Sequence, residues 1–213
     1  NKSENCRGQE DYWIVKIDSL GNVQWDKTFG GANNDYCSSI IQTKDKGYLL
    51  GGYSNSNFSG DKSQNSKGSS DCWIIKIDSS GNKLWDKTIG GASLDQRASL
   101  IQTTDNQYML FASSYSNISG DKSQNSKGGY DFWIVKIDSI GNKIWDKTIG
   151  GAGNEILYSI TPDYSNGFIL CGQSNSNISG DKTENSDSND YWLVKIDNSG
   201  LVLWDKTFGG SDD

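Results

Sequence analysis

The sequence predicts an all-β protein built from tandem four-stranded antiparallel sheets of about 60 residues each. Three observations lead there. The first is repetition: "DYWIVKID" from Asp11 returns as "DCWIIKID" from Asp71, "DFWIVKID" from Asp131 and "DYWLVKID" from Asp190. "WDKT" follows each of them, from Trp25, Trp85, Trp145 and Trp204, and the polar decapeptide "SGDKSQNSKG" stands unchanged at 59–68 and 119–128. The second is local pattern, since short runs rich in Ile, Leu, Val, Trp and Tyr alternate with Gly, Asn, Asp and Ser, and no helical period appears. The third is composition: 8 Trp, 10 Tyr and 6 Phe in 213 residues of which 33% are hydrophobic. Apolar surface held in a few large side chains is enough for a compact core and is foreign to disordered chains.

Within one unit the elements follow in order. "SSIIQT" from Ser38 passes through "KDKG" into "YLLGGYS". The long polar loop comes next, and its lack of any apolar side chain excludes a core strand or an amphipathic helix. "DCWIIKID" then turns through "SSGN" into "KLWDKTIGG". In the first copy Trp13, Val15 and Ile17 point one way while Tyr12 and Ile14 point the other, so the strand is apolar on both faces. That suits a sheet lying between two others. A fixed period of four short strands describes propeller blades better than a sandwich, which has no reason to repeat its turns. The expected architecture is therefore a β-propeller-like partial ring of about three and a half blades. Residues 1–34 form a half blade of the outer two strands, 35–94 and 95–154 form blades, and 155–213 form a blade whose final "SDD" begins another. The eight tryptophans Trp13, Trp25, Trp73, Trp85, Trp133, Trp145, Trp192 and Trp204 are expected to anchor the repeat between blades. Area burial would contribute roughly 4 to 6 kcal/mol for each one buried.

These stretches, "SIIQT" through "KGYLLGGYSNSN" and then "DCWIIKIDSSGNKLWDKTIGG", resemble the SBBP-type β-propeller repeat, common in secreted surface proteins of Bacteroidetes-type bacteria. The resemblance spans residues 11–210 and implies a propeller fold and an extracellular or cell-surface location. The polar loop is longer here than in many members, so the resemblance vouches for nothing carried by that loop.

The formal net charge of −7 argues against a sequence-independent grip on nucleic acid or anionic membrane. No apolar run approaches the length of a membrane span, so no membrane insertion is expected. Because residue 1 is Asn, the chain reads as a piece of something longer. Histidine is absent, which removes Ser-His-Asp, Cys-His and histidine-metal chemistry from these residues. Carboxylates are abundant, but nothing singles out a pair for glycoside hydrolysis. Cys6, Cys37, Cys72 and Cys171 follow no metal spacing and read as free thiols, with one disulfide as the alternative.

Strand alternation places the loop between second and third strands and the blade-to-blade loops ("GGANNDY", "GGASLDQ", "GGAGNEI") on one side, the expected binding face. There Asp61, Ser63, Asn65 and Asp71 set oxygen-bearing side chains along a turning backbone. Asp121, Ser123, Asn125 and Asp131 repeat the set, and Asp181, Thr183, Asn185, Asp187 and Asp190 vary it. Hard oxygens in that spacing suit Ca²⁺, the one cofactor for which the chain offers ligands. The alternative is that these side chains cap their own turns. The recurring Lys16/Asp18 and Asp26/Lys27 positions read as structural pairing between strands. Near-identical units fit a non-enzymatic scaffold or adhesin segment of a larger exported protein, whose partners are its own neighbouring blades. The alternative is a lectin-like module, multivalent toward surface glycans or proteins, with aromatic side chains as stacking platforms.

Overall fold

The computed structural model describes residues 2–210 except Asn166, so the "SDD" expected to open a further blade lies outside the described residues. Fourteen strands make four antiparallel sheets, each a meander in chain order. The first sheet holds only β1 (Tyr12–Ile17) and β2 (Val23–Phe29). The second holds β3 (Asp35–Gln42), β4 (Tyr48–Ser54), β5 (Asp71–Ile77) and β6 (Lys83–Ile89). The third holds β7 (Asp95–Gln102), β8 (Tyr108–Ser114), β9 (Asp131–Ile137) and β10 (Lys143–Ile149). The fourth holds β11 (Glu155–Pro162), β12 (Phe168–Ser174), β13 (Asp190–Ile196) and β14 (Val202–Phe208). The sheets pack face to face in succession without closing on themselves, as a partial, propeller-like stack.

Both faces of the third strand of a sheet are used because neighbours cover both. From β5, Trp73, Ile75 and Ile77 pack with Tyr12 and Ile14 of the first sheet, while Cys72 and Ile74 pack with Trp133, Val135 and Leu110 of the third. From β9, Phe132 and Ile134 meet Trp192, Val194 and Leu170 of the fourth. Period-two alternation thus feeds two cores from one strand.

The ends of the stack behave differently, and they correct the expectation for tryptophan. Trp73, Trp133 and Trp192 are fully buried wedges, but Trp13 is 47% exposed because no sheet lies on its face. Tyr191, on the opposite outer face, is 65% exposed. The second tryptophan of each repeat sits at the rim: Trp25, Trp85 and Trp145 are half-buried, and Trp204 is exposed. Each of the three half-buried rings covers a glycine of the next sheet's turn, Gly81, Gly141 or Gly200. Gly81 has φ +86°, and a Cβ there would come within 3.3 Å of the Trp25 ring, so glycine serves both the turn and the packing.

The recurring charges are structural, as expected, but with other partners. Asp26, Asp86, Asp146 and Asp205 accept the indole N–H of Trp13, Trp73, Trp133 and Trp192 at 2.9 to 3.0 Å. Lys76 pairs with Asp45 at 2.8 Å, Lys136 with Asp105 at 3.2 Å and Lys195 with Asp163 at 2.7 Å, each across to the hairpin turn of its own sheet. Lys16 has no such hairpin beside it and donates to the Ser79 carbonyl instead. Asp18 and its copies Asp78 and Asp138 cap their own turns.

The paired glycines at 30–31, 90–91 and 150–151 close the junctions. A Cβ on Gly30, Gly90, Gly150 or Gly209 would fall 1.9, 1.9, 1.8 or 1.7 Å from Oδ1 of Asp11, Asp71, Asp131 or Asp190. The aspartate that opens each "DxW" motif therefore requires the first glycine of "GG". The second requires space too, since a Cβ on Gly91 would lie 2.5 Å from the Ser116 Cβ. Facing Asp131 across this seat is Glu155, whose Oε2 accepts the Gly151 N–H at 2.7 Å. Burial first, and the neighbouring Glu155 in addition, push the Asp131 carboxyl up to about 6.

Candidate functional site

The long loops were the expected binding face, and the structure shows what their polar side chains do. Asp61 accepts the Gly30 N–H at 3.2 Å and pairs with Arg7 Nε at 3.0 Å, both from the preceding sheet's side of the junction. Asp121 and Asp181 repeat this with Gly90 and Lys67, and with Gly150 and Lys127. Ser56 and Ser59 hydroxyls accept the N–H groups of Asn33 and Ala32 at 2.9 Å, repeated at Ser116/Ser93, Ser119/Ala92, Ser176/Gly153 and Ser179/Ala152. Asn65, Asn125 and Asn185 accept the N–H of Phe58, Ile118 and Ile178 within their own loops. The verbatim decapeptide is a clamp that joins each sheet to the one before it, which is why its letters recur.

The thirteen loop residues considered for Ca²⁺, in three sets, turn in different directions within each loop. Asp61, Asp121 and Asp181 face the previous sheet, whereas Asp71 and Asp131 turn to the N–H of Lys67 and Lys127 and to the first glycine of "GG". Asp190 accepts from the Asp187 N–H at 3.0 Å, Thr183 donates to Asp205, and Ser63 and Ser123 donate their backbone N–H to Asp86 and Asp146. Lys62, Lys122 and Lys182 bury their ammonium groups in the same loops, donating to Thr88, Thr148 and Thr207. Burial draws Lys62 and Lys122 down to about 8. Among the described residues no group of three or more His, Cys, Asp or Glu gathers as a metal site. Millimolar Ca²⁺, compared with chelator, is expected to leave the melting temperature unchanged within about 1 °C in a thermal scan, since linkage requires a ligand that favours the native state.

Where the units differ is more informative than where they agree. β5, β9 and β13 are nearly the same sequence, but the first strands of their sheets read DYCSSIIQ, DQRASLIQ and EILYSITP. Each carries a bulge, between Cys37 and Ser39, Gln96 and Ser99, and Leu157 and Ser159. Ser38, Arg97 with Ala98, and Tyr158 occupy the irregular positions. Bulges re-aim side chains. Arg97 adopts φ 61° within a strand, whereas Lys46 and Asn106, which also have positive φ, sit in hairpin turns.

These strands enclose a cleft of about 350 Å³ lined by Ser38, Tyr53, Gln96, Arg97, Leu157 and Tyr158. The Arg97 guanidinium stands 5.4 Å from the centre of the Tyr158 ring. The Tyr158 hydroxyl donates to Gln173 Oε1 at 2.8 Å, fixing ring and amide together. At one lip Tyr36 and Tyr53 stack at 4.8 Å. A hydrogen bond to the Glu10 carboxylate raises the Tyr36 phenol above its usual range. A larger cleft of about 550 Å³ lies at the outer rim beside Lys127, Lys147 and Leu201, and others of about 490 and 480 Å³ lie against Tyr36 and Cys37 and beside Trp85 and Tyr108. The first of these has a counterpart one junction earlier, of about 190 Å³, lined by the equivalent Lys67, Lys87 and Asn142, which makes it a product of the repeat. The inner cleft forms where the first strands of three successive sheets meet, and the described residues hold one such set. Sequence reasoning passed over it, although Arg97 is one of only two arginines in the chain and breaks the repeat.

No family model matches the chain, and no curated protein sequence matches it. Among solved structures, the crystal structure of a protein of unknown function from Bacteroides caccae is similar, with a TM-score of 0.44 and 10% identity. The likeness covers 93% of this chain and 73% of that one.

Proposed function

We propose that the chain is a non-enzymatic, repetitive scaffold module, an adhesin segment or spacer within a larger protein exported to the cell surface. The observation that carries this reading is the clamp: the same loop residues tie each sheet to its predecessor at every junction. The polar groups that would otherwise be available for chemistry are spent on holding neighbours, which suits a part that is lengthened by copying. The surface location rests on the resemblance of the repeats to SBBP-type units.

Two measurements test it. Excision of residues 71–130, which joins Ser70 to Asp131 at an equivalent place in the repeat, is expected to leave a folded β protein with a cooperative melt. Collapse of the shortened chain to an unfolded or aggregated state would count against a modular scaffold. In intact cells making the full-length protein, added protease is expected to cleave within this segment, and complete protection would remove the surface assignment.

A second reading, a binding module, is favoured by the inner cleft, where the repeat is broken around Arg97. The two readings are compatible, because a scaffold can present a site that only one junction carries.

The ion pairs Lys67–Asp121 and Lys127–Asp181 are half-exposed, so each is expected to contribute under about 1 kcal/mol in a double-mutant cycle read by urea unfolding.

A further inference from the structure

We infer that the cleft around Arg97 binds an acidic sugar, a hexuronate unit of a polysaccharide, through its carboxylate and the C–H face of its ring. This rests on the binding-module reading and names its ligand class.

Four features of the cleft support it. Arg97 is exposed and has no carboxylate within ion-pair distance among the described residues, whereas the chain's other arginine, Arg7, is paired with Glu4 and Asp61. Its guanidinium carbon lies 5.4 Å from the centre of the Tyr158 ring, within cation–π range, and the guanidinium fork matches a carboxylate through two parallel hydrogen bonds. The backbone that places it is in the left-handed region, which an L-residue adopts at a cost and which persists where the direction of the side chain matters. The remaining lining is hydroxyl and amide: Ser38, Tyr53, Gln96 and, behind Tyr158, Gln173.

That lining separates a sugar from other ligands. The aliphatic lining residue, Leu157, is 2% exposed, so a peptide or lipid finds no apolar anchor. Tyrosine faces accept the C–H side of a pyranose while amides and hydroxyls meet its hydroxyl groups. The volume of about 350 Å³ lies near the lower end of small-ligand sites, about 300 to 1,000 Å³, and fits one or two sugar units. The net charge of −7 does not prevent binding of an anion, because charges more than about 8 Å away are largely screened at physiological ionic strength.

The competing account is that Arg97 and Tyr158 merely staple the third sheet to the fourth. Arg97→Gly distinguishes the two, because glycine takes φ 61° without strain. A binding role predicts that Arg97→Gly melts about 2 to 4 °C higher than the parent and loses its ligand; a staple predicts a lower melt. The binding probe is tetragalacturonate, titrated by calorimetry and by NMR at physiological ionic strength, with maltotetraose as the neutral control. Saturable binding of the acidic tetramer is expected, weakened about tenfold or more in Arg97→Gln and in Tyr158→Ala, with little binding of the neutral one. Binding that survives Arg97→Gln would place the ligand on the lysines of the rim and overturn the assignment. Equal binding of both tetramers would leave a lectin but remove the acidic specificity, and binding of neither would remove the lectin reading while leaving the scaffold untouched.

Discussion

Gly150→Ala is expected to destabilise the protein by about 3 to 5 kcal/mol, one of the largest effects available to a single added methyl group. The new Cβ would lie 1.8 Å from Asp131 Oδ1 and 2.7 Å from Glu155 Oε2, distances at which one carboxylate must leave its seat. Asp131 cannot leave cheaply. Its Oδ2 accepts from the Lys127 N–H and the Ser126 hydroxyl at 2.8 Å, and Glu155 accepts from Gly151 N and from the Ser174 and Ser176 hydroxyls. Hydrogen bonds to a buried charge contribute about 1.5 to 3 kcal/mol each, so losing two accounts for the figure. The backbone at Gly150 is not in the left-handed region, so the penalty comes from the contact and not from φ. Urea unfolding of Gly150→Ala, Asp131→Ser and the double variant measures it. The cycle is expected to show strong coupling, with the double variant much more stable than the sum of the single losses implies. A loss below about 1 kcal/mol in the glycine variant would mean that the junction is soft, and the account of the paired glycines would fall.

Asp131→Asn is expected to stabilise the protein at pH 7.5 by about 1 to 3 kcal/mol, and to do nothing of the kind at pH 4. Among the described residues Asp131 Oδ1 is buried without a hydrogen-bond donor, on the side where Glu155 Oε2 approaches. An asparagine amide there supplies the missing proton donor and removes one of two like charges. The sign follows from the raised carboxyl, about 6 in the folded protein against a usual value near 3.8. A raised carboxyl favours folding fully below its unfolded value and ceases to do so as pH rises through its folded value, so the window runs from about 4 to about 6. The groups around it are Glu155 from the fourth sheet, Lys122 and the Lys127 N–H from its own loop, and Ser126. Asp71 and Asp95, the same pair one junction earlier, are raised by burial in the same direction. Against them stand Asp26 and Asp45, held near 2, Asp26 chiefly by hydrogen bonds from Ser3 and Asp45, against the cost of burial, by Lys76 and Thr43. Their contribution is present above the usual carboxylate value and lost as pH falls toward 2. Maximum stability is therefore expected in mild acid, with the Asp131→Asn difference vanishing there. An asparagine variant that is less stable than the parent at pH 7.5 would show that the carboxylate is needed charged.

Much of this architecture was legible from local pattern. The strand runs, the turn residues between them and the two-faced apolar pattern of "DCWIIKID" all depend on neighbours within a few positions in the chain. Their placement in four-stranded meanders follows from the short turns. The loop residues Asp61, Ser63, Asn65 and Asp71 were legible as a spacing of oxygen-bearing side chains, and their orientation was not. Spacing says which side chains carry oxygen, and it does not say that Asp61 faces the previous sheet while Asp71 faces Gly90. The equal treatment of eight tryptophans failed for the same reason: Trp13 and Trp73 sit in nearly the same local sequence, yet one meets solvent and the other a neighbouring sheet.

By itself, then, the chain's letter order determined the strands, their alternation and the unit that is copied, because backbone preference and side-chain period act over a few residues. Only the tertiary structure decided which carboxylates share a buried seat, why "GG" accompanies "DxW", and that Arg97, Tyr158 and Tyr53 line one cleft. Those relations join positions tens of residues apart, and they exist only once sheet has packed against sheet and desolvated the groups between them.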